Sequence, residues 1–326
     1  MEEQALIEVK NLKKSFPAGT GKRNKGKYIR AVDDVTFSIK RGEFLGVVGE
    51  SGCGKSTLGR CVIKMHSSSS GKIIYDGEDI TGYGRKEMKE LRKKMQMVFQ
   101  NPFSSFNPKK TIRSSLLEVG NYYKMPKKEL QERIANLVEY INLDEELLDR
   151  HPSELSGGQL QRLAIARALI LKPEFIMADE PVSALDVSVQ AQVLNIIMDL
   201  REKENLTMMF ISHELTVVEH ICDRIIVMYL GTIVEMGDTK EVISHPMHPY
   251  TQVLLSSKPK EDPDMKTERI LLSGDIPNAV DMPDGCKFWT RCPHYKECNC
   301  EMPHMVKVRE NHYVLCHLCE DEKRGQ

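Results

Sequence analysis

Eight consecutive residues, Gly49-Glu50-Ser51-Gly52-Cys53-Gly54-Lys55-Ser56, fit the pattern G-x-x-x-x-G-K-[ST]. Glycines let backbone N–H groups turn inward around a phosphate, and the N-terminus of a following helix adds partial positive charge. Lys55 is placed to reach the outer oxygens of a nucleoside triphosphate, and the Ser56 hydroxyl to ligate Mg2+. The bland alternative is a glycine-rich turn without a ligand. With this chain's Gly, Lys and Ser/Thr frequencies, a chance match arises in roughly one such chain in a hundred.

A second group could complete a hydrolytic site. Phe175-Ile176-Met177-Ala178-Asp179-Glu180 is an apolar run ending in two carboxylates. Asp179 is placed to hold the Mg2+ shell, and Glu180 to orient and deprotonate an attacking water. Strands that merely end in solvated acids are common, so the pair gains meaning only behind a phosphate loop. His213 follows another apolar run, Thr207 to Ile211, where it could contact a γ-phosphate and the water. A lone His after a strand is more often structural. Leu155-Ser156-Gly157-Gly158-Gln159 precedes a helical stretch, Leu160 to Ala168, and its hydroxyl and glycine N–H groups would form a second anion site at a helix N-terminus.

Positioning these residues requires buried strands that end together. Phe44 to Val48 is a continuous apolar run ending at Gly49, and Met95–Phe99, Phe175–Ala178 and Met208–Ile211 are similar. Leu6 to Val9 is a short apolar run, and Val32 to Ile39 alternates roughly. Asp76-Gly77 between two apolar stretches signals a tight hairpin. A helix starts at Thr57, residues 126–149 read as amphipathic helix, and Val189, Val193, Ile197 and Leu200 mark another. Arg85 to Lys94 reads as a solvated helix face. Strands alternating with helices predict an α/β core with a mainly parallel sheet, into which a helical block at about 100–165 is inserted.

In this order the motifs resemble the ATP-binding subunits of ABC transporters, over about residues 5–250. The resemblance implies a phosphate-loop NTPase core with a mainly parallel sheet, an antiparallel β subdomain and an inserted helical subdomain. It implies ATP contacts from Gly49, Glu50, Ser51, Gly52, Cys53, Gly54, Lys55, Ser56 and Thr57, with Asp179 and the Asp186 of Ser183-Ala184-Leu185-Asp186. Gln100 would touch the metal and the water. Phe16 would stack on adenine, the alternative being core packing. Ser156, Gly157, Gly158 and Gln159 would complete the site of a second ATPase subunit. Gln100-Asn101-Pro102, Asn107-Pro108, the run from Glu180 to Gln190 and His248-Pro249-Tyr250-Thr251 look like the oligopeptide/dipeptide importer branch. That implies a motor subunit at the cytoplasmic face of a membrane, a related partner ATPase, two permease chains and an extracytoplasmic peptide-binding protein. Related importers of nickel share much of this wording. A non-transport ABC ATPase usually carries two cassettes or a long coiled coil, and a small-molecule kinase has no use for residues 155–159.

Composition agrees with a globular chain. Among 326 residues, 46 Lys and Arg balance 47 Asp and Glu, so no bulk field draws the chain to nucleic acid or lipid. Mean hydropathy is -0.38, and the longest apolar stretch, Ile225 to Val234, is shorter than the roughly 18 residues of a membrane span. A basic, apolar leader is not visible at the start. These features predict a soluble intracellular protein with an ATPase domain over 1–250 and a Pro-rich, loop-rich extension over 251–326. Six of the nine cysteines lie in that extension, which in a reducing compartment points first to metal. Cys286, Cys292, Cys298 and Cys316 resemble the set that binds a 4Fe-4S cluster in some peptide-importer ATPases. Structural Zn2+ or plain reduced thiols are the alternatives, with Cys300 and Cys319 as spares.

Overall fold

The computed structural model describes residues 4–19, 26–256, 285–296 and 301–324, together with Pro277, Val280, Met282, Pro283 and Cys298. The chain divides into two compact units. One is built mainly from Lys40–Glu43 and Gly82–Ile211, the other from described residues of Ala5–Ile39, Phe44–Thr81 and Ser212–Gln326.

In the first unit, strand Phe175–Asp179 lies between Met95–Val98 and Thr207–Ile211, parallel to both. Every residue of Phe175–Asp179 and Thr207–Ile211 is buried, which is why these strands read as unbroken apolar runs. Helices Ile112–Tyr122, Lys127–Tyr140 and Gly157–Leu169 come between the first two strands in sequence, as the expected helical block. Lys127–Tyr140 buries Leu130, Ile134, Leu137 and Val138. It ends earlier than its apolar period suggested, because Asn142 adopts a left-handed φ of 52° and a short 3-10 turn, Glu145–Asp149, follows. The basic helix Arg85–Lys94 is solvated on one face only; Met88 and Leu91 are buried on the other.

In the second unit, strand Phe44–Val48 runs parallel to Arg224–Tyr229. Thr232–Asp238, His312–Leu315 and Met305–Arg309 extend that sheet antiparallel, in this order. The long apolar stretch Ile225 to Val234 is thus a hairpin. Leu230 and Gly231 make its turn with φ of 43° and 79°. A separate sheet has the order Tyr28–Lys40, Ala5–Pro17, Ser70–Tyr75, Glu78–Asp79, of which the last three pair antiparallel, and Asp76-Gly77 closes its expected hairpin with φ of 50° and 82°. Ala5–Pro17 continues well past Val9. A bulge between Lys10 and Lys13 breaks the alternation, so the strand's second half does not look like a strand in the sequence.

The extension has more regular structure than its composition suggested. It carries helices Pro249–Ser256 and His317–Arg324 besides the hairpin Met305–Arg309/His312–Leu315. The buried Glu235 ties it down, accepting from Met247 N at 2.8 Å, His248 N at 3.0 Å and His312 Nε2 at 2.7 Å. No helix among the described residues is long and apolar enough to cross a membrane.

His248 makes part of this assembly sensitive to pH. Its Nδ1 accepts from Tyr250 N at 3.0 Å, which requires a neutral ring, and burial lowers its pKa to about 4, the nearby Glu235 opposing the shift. The unfolded chain, with an ordinary value near 6.5, therefore binds this proton more readily. The contribution, about 3 kcal/mol, is complete above pH ~6.5 and is lost as pH falls toward ~4. Urea unfolding at a series of pH values should show a shallower decline over that window for His248→Gln than for the unmodified chain. Equal slopes would refute the assignment.

Candidate functional site

The phosphate loop follows the fully buried strand Phe44–Val48 and leads into helix Lys55–Val62. Gly54 caps that helix with φ of 107°, and a Cβ there would lie 2.0 Å from Ala31 O. At Gly49, φ is 148° and a Cβ would lie 2.2 Å from Met228 O. Both glycines are therefore demanded by backbone shape and by close approach. Ser51 and Gly52 are exposed at the tip, while Cys53 and Lys55 are buried. Lys55 Nζ folds over the loop and donates to Gly49 O at 2.7 Å and Glu50 O at 3.0 Å. Burial raises the pKa of the Cys53 thiol, so it lies neutral beneath the loop. Ser56 and Thr57 open the helix, half-buried on its first turn.

The strand end at Val47–Val48 also locates His213. Ser212 N donates to Val47 O at 3.1 Å, and the Ser212 hydroxyl accepts from Glu214 N at 2.9 Å. His213 projects between them, exposed, with Nε2 3.8 Å from Glu214 Oε1. Phe16, in the same unit, meets His66 edge to face at 5.7 Å, and Lys14 Nζ lies 4.8 Å from its ring centre. It is half-buried.

The first unit carries the carboxylates. Asp179 is 2% exposed at the end of its strand. Glu180 turns the chain outward with φ of 47°, its N–H donating to Ile211 O at 2.9 Å. Gln100 Nε2 donates to Glu180 Oε2 at 2.7 Å, so two residues 80 apart in sequence meet directly. After Glu180 the chain is held by Ser183, whose hydroxyl donates to Glu180 O at 3.1 Å. Asp186 is exposed at the N-terminal boundary of helix Val187–Glu204, with no side-chain capping hydrogen bond.

Ser156 is the N-cap of helix Gly157–Leu169. Its Oγ accepts from Gln159 N at 3.3 Å, and Gln159 Oε1 accepts from Ser156 N at 3.0 Å. The Gln159 side chain is thereby used in a capping box, leaving Ser156 and Gly157 as the exposed residues of the motif. Gly158 has a packing reason, since a Cβ there would lie 2.3 Å from Val189 Cγ1.

Two contacts of the phosphate loop were not foreseen. Glu50 N donates to Tyr250 Oη at 2.8 Å, and the Glu50 carboxylate binds Arg291 through Nη1 at 2.9 Å and Nη2 at 3.1 Å. Tyr250 stands in a segment singled out in the sequence only for its family likeness. Arg291 has no local signal beyond lying between two cysteines.

The cysteines can be placed in part. Burial raises the thiols of Cys286 and Cys292, the latter to about 11, with further rises from the charges of Cys298 and Cys316. Cys316 is lowered to about 7, chiefly by a hydrogen bond from Cys319. Cys300 lies outside the described residues. The donors are the right kind for iron–sulfur or zinc. Among the described residues, however, no group of three or more His, Cys, Asp or Glu is arranged to hold a metal ion.

Known proteins place this geometry in a family. The family model for ABC transporters matches residues 32–183, and that for the oligopeptide/dipeptide transporter C-terminal region matches 234–300. The chain is 47% identical to the oligopeptide transport ATP-binding protein AppF of Bacillus subtilis over 323 residues, covering 97% of this chain and 98% of that protein. It is 45% identical over 318 residues to a putative peptide import ATP-binding protein of Brucella ovis, again covering 97% and 98%. Among solved structures, cbiO1 of Clostridium perfringens, part of the ABC transporter complex cbiONQ, has a TM-score of 0.65 at 28% identity, over 74% of this chain and 92% of that one. The ATP-binding cassette MJ0796, in a dimeric post-hydrolysis state bound to ADP and Pi, has a TM-score of 0.64 at 28% identity, over 72% and 98%. The chain belongs to the ATP-binding proteins of oligopeptide/dipeptide ABC transporters, ATPases of the phosphate-loop fold.

Proposed function

We propose that this ATPase is the motor subunit of an importer and energises uptake of oligopeptides or dipeptides through separate permease chains at the cytoplasmic face of the membrane. The observation that carries the hydrolytic part is the 2.7 Å contact of Gln100 with Glu180, which holds a carboxylate just past the end of a buried strand. Glu180 orients the attacking water and accepts its proton; Gln100 fixes the carboxylate and borders the water; His213 contacts the γ-phosphate. The loop N–H groups from Gly49 to Thr57 and the Lys55 ammonium bind the phosphates, and Phe16 stacks on the adenine. The hydroxyl of Ser56, the carboxylate of Asp179 and the amide oxygen of Gln100 are hard oxygen donors suited to Mg2+, which when bound neutralises charge on the phosphates.

The exposed Ser156 and Gly157 serve the ATP site of a second, related ATPase subunit, and Asp186 lies at that junction. ATP binding closes the pair, hydrolysis reopens it, and the helical insertion of about 100–165 passes the motion to two permeases loaded by an extracytoplasmic peptide-binding protein. In this reading the chain divides into an ATPase domain over 1–250 and an extension over 251–326; the family matches at 32–183 and 234–300 support two successive regions without giving that boundary. Cys286, Cys292, Cys298 and Cys316 would hold a structural 4Fe-4S cluster, or Zn2+ in its place. The resemblance of their spacing is what supports the grouping, and no step of hydrolysis depends on it.

One preparation tests the whole reading. Anaerobic purification from native membranes should bring down a second ATPase and two permease chains, with ATP turnover that rises when peptide-loaded binding protein is added. Stimulation by a nickel-loaded protein instead would move the chain to another cargo. Full, concentration-independent turnover by the isolated monomer would overturn the paired site. Iron and sulfide, or zinc, in that preparation decide between the two metals.

A further inference from the structure

Within the second unit, the segment Cys286–Cys292 is tied at three points to residues packed around the phosphate loop. Lys287 Nζ donates to Asp33 Oδ2 at 2.9 Å, Leu230 O at 3.1 Å and Thr232 Oγ1 at 2.6 Å. Phe288 is buried among Tyr229, Tyr250 and His248, with ring centres 5.1, 5.5 and 5.5 Å away. The third point is the bidentate pair of Arg291 with Glu50. Its arginine side chain is 8% exposed and its carboxylate 25%. Trp289–Arg291 form a 3-10 turn that fixes the direction of the arginine.

Glu50 is the first variable residue of the phosphate loop, so its placement matters to any anion bound there. Its N–H is drawn to Tyr250 Oη and its side chain to Arg291, while its carbonyl turns to Lys55. The peptide between Gly49 and Glu50 is thus oriented from outside the loop. The pair also has an electrostatic effect. An unpaired carboxylate in the phosphate loop repels a triphosphate, and in a partly buried place that repulsion is poorly screened. A bidentate guanidinium cancels it.

We infer that Arg291 and Tyr250 are positioning residues for ATP binding: from the cysteine-containing extension they hold the backbone and neutralise the charge of Glu50. The inference rests on residues 49–56 being the ATP site.

The test uses the intact transporter complex with ATP and Mg2+, measuring equilibrium ATP binding, KM and kcat. Arg291→Ala should raise the dissociation constant and KM about tenfold, with kcat at saturating ATP within about twofold of the unmodified complex. Arg291→Ala combined with Glu50→Gln should recover most of the affinity, because the uncompensated carboxylate is gone. Tyr250→Phe, which removes only the hydroxyl, should weaken binding about threefold. If Arg291→Ala fails to fold, Arg291→Lys and Tyr250→Phe carry the test; Lys keeps the charge but loses the fork, giving an intermediate KM. An unchanged KM in the folded variants, or a loss of kcat alone, would overturn the inference. So would weak binding that persists in the double variant. Lys55→Ala in parallel separates the premises: if it binds ATP normally, the reading of the loop fails, and if it alone loses binding, only the role of Arg291 and Tyr250 fails.

Discussion

Glu180→Gln should bind ATP as the unmodified protein does and hydrolyse it about two to four orders of magnitude more slowly in the assembled transporter. The substitution keeps the shape of the side chain. A glutamine at this position retains an oxygen for the Gln100 amide, now 2.7 Å away, and the same backbone turn with φ of 47°. What disappears is the carboxylate proposed to take the water's proton. Because that proton moves in the transition state, the loss falls on kcat and spares binding. Single-turnover hydrolysis together with equilibrium ATP binding reads the two effects separately. Turnover at the unmodified rate would remove Glu180 from the role of base.

Lys55→Ala should act on the other side of that division. The ammonium is buried and held over the loop by the carbonyls of Gly49 and Glu50, already near the place where phosphates bind. A charge-assisted hydrogen bond contributes about 1.5–3 kcal/mol, so ATP affinity should fall roughly tenfold to hundredfold. Alanine also removes the ammonium from both carbonyls, leaving Glu50 O only the longer contact from Cys53 N at 3.3 Å, which loosens the loop before any nucleotide arrives. Titration of the variant with ATP and Mg2+ measures the loss. Unaltered affinity would mean that the loop's N–H groups suffice without the lysine.

The parts of the site that depend on a local pattern were legible in the sequence. Gly49 to Ser56, the run ending at Asp179-Glu180 and the cap at Ser156 each combine a residue pattern with an adjoining strand or helix. Their local geometry follows from that combination. The meeting of Gln100 with Glu180 was not derivable from periodicity, because it depends on parallel strands separated by a whole helical block. The resemblance supplied Gln100 as a residue but not its partner. Tyr250 and Arg291 illustrate a further limit. Their contacts with Glu50 span 200 and 241 residues, and nothing near either side chain announces a distant carboxylate. Regular structure was underestimated where alternation is broken, as by the bulge in Ala5–Pro17, or where a short hairpin such as that at 305–315 sits in a Pro- and Cys-containing extension. Pairing of His312–Leu315 with the long strand Thr232–Asp238 supplies what that hairpin lacks on its own.

That hairpin has a consequence for how the protein tolerates truncation. Without it, Thr232–Asp238 would present an open row of backbone donors and acceptors, backed by apolar Ile233 and Val234, to any other chain in solution. Met305–Arg309 takes over the outermost place. It is five residues long and sets Lys307 and Arg309 toward solvent, where their charge discourages a further strand from joining. Shortened chains that stop before residue 301 should therefore self-associate through this sheet even when their phosphate loop is intact, and a soluble minimal ATPase needs the hairpin retained.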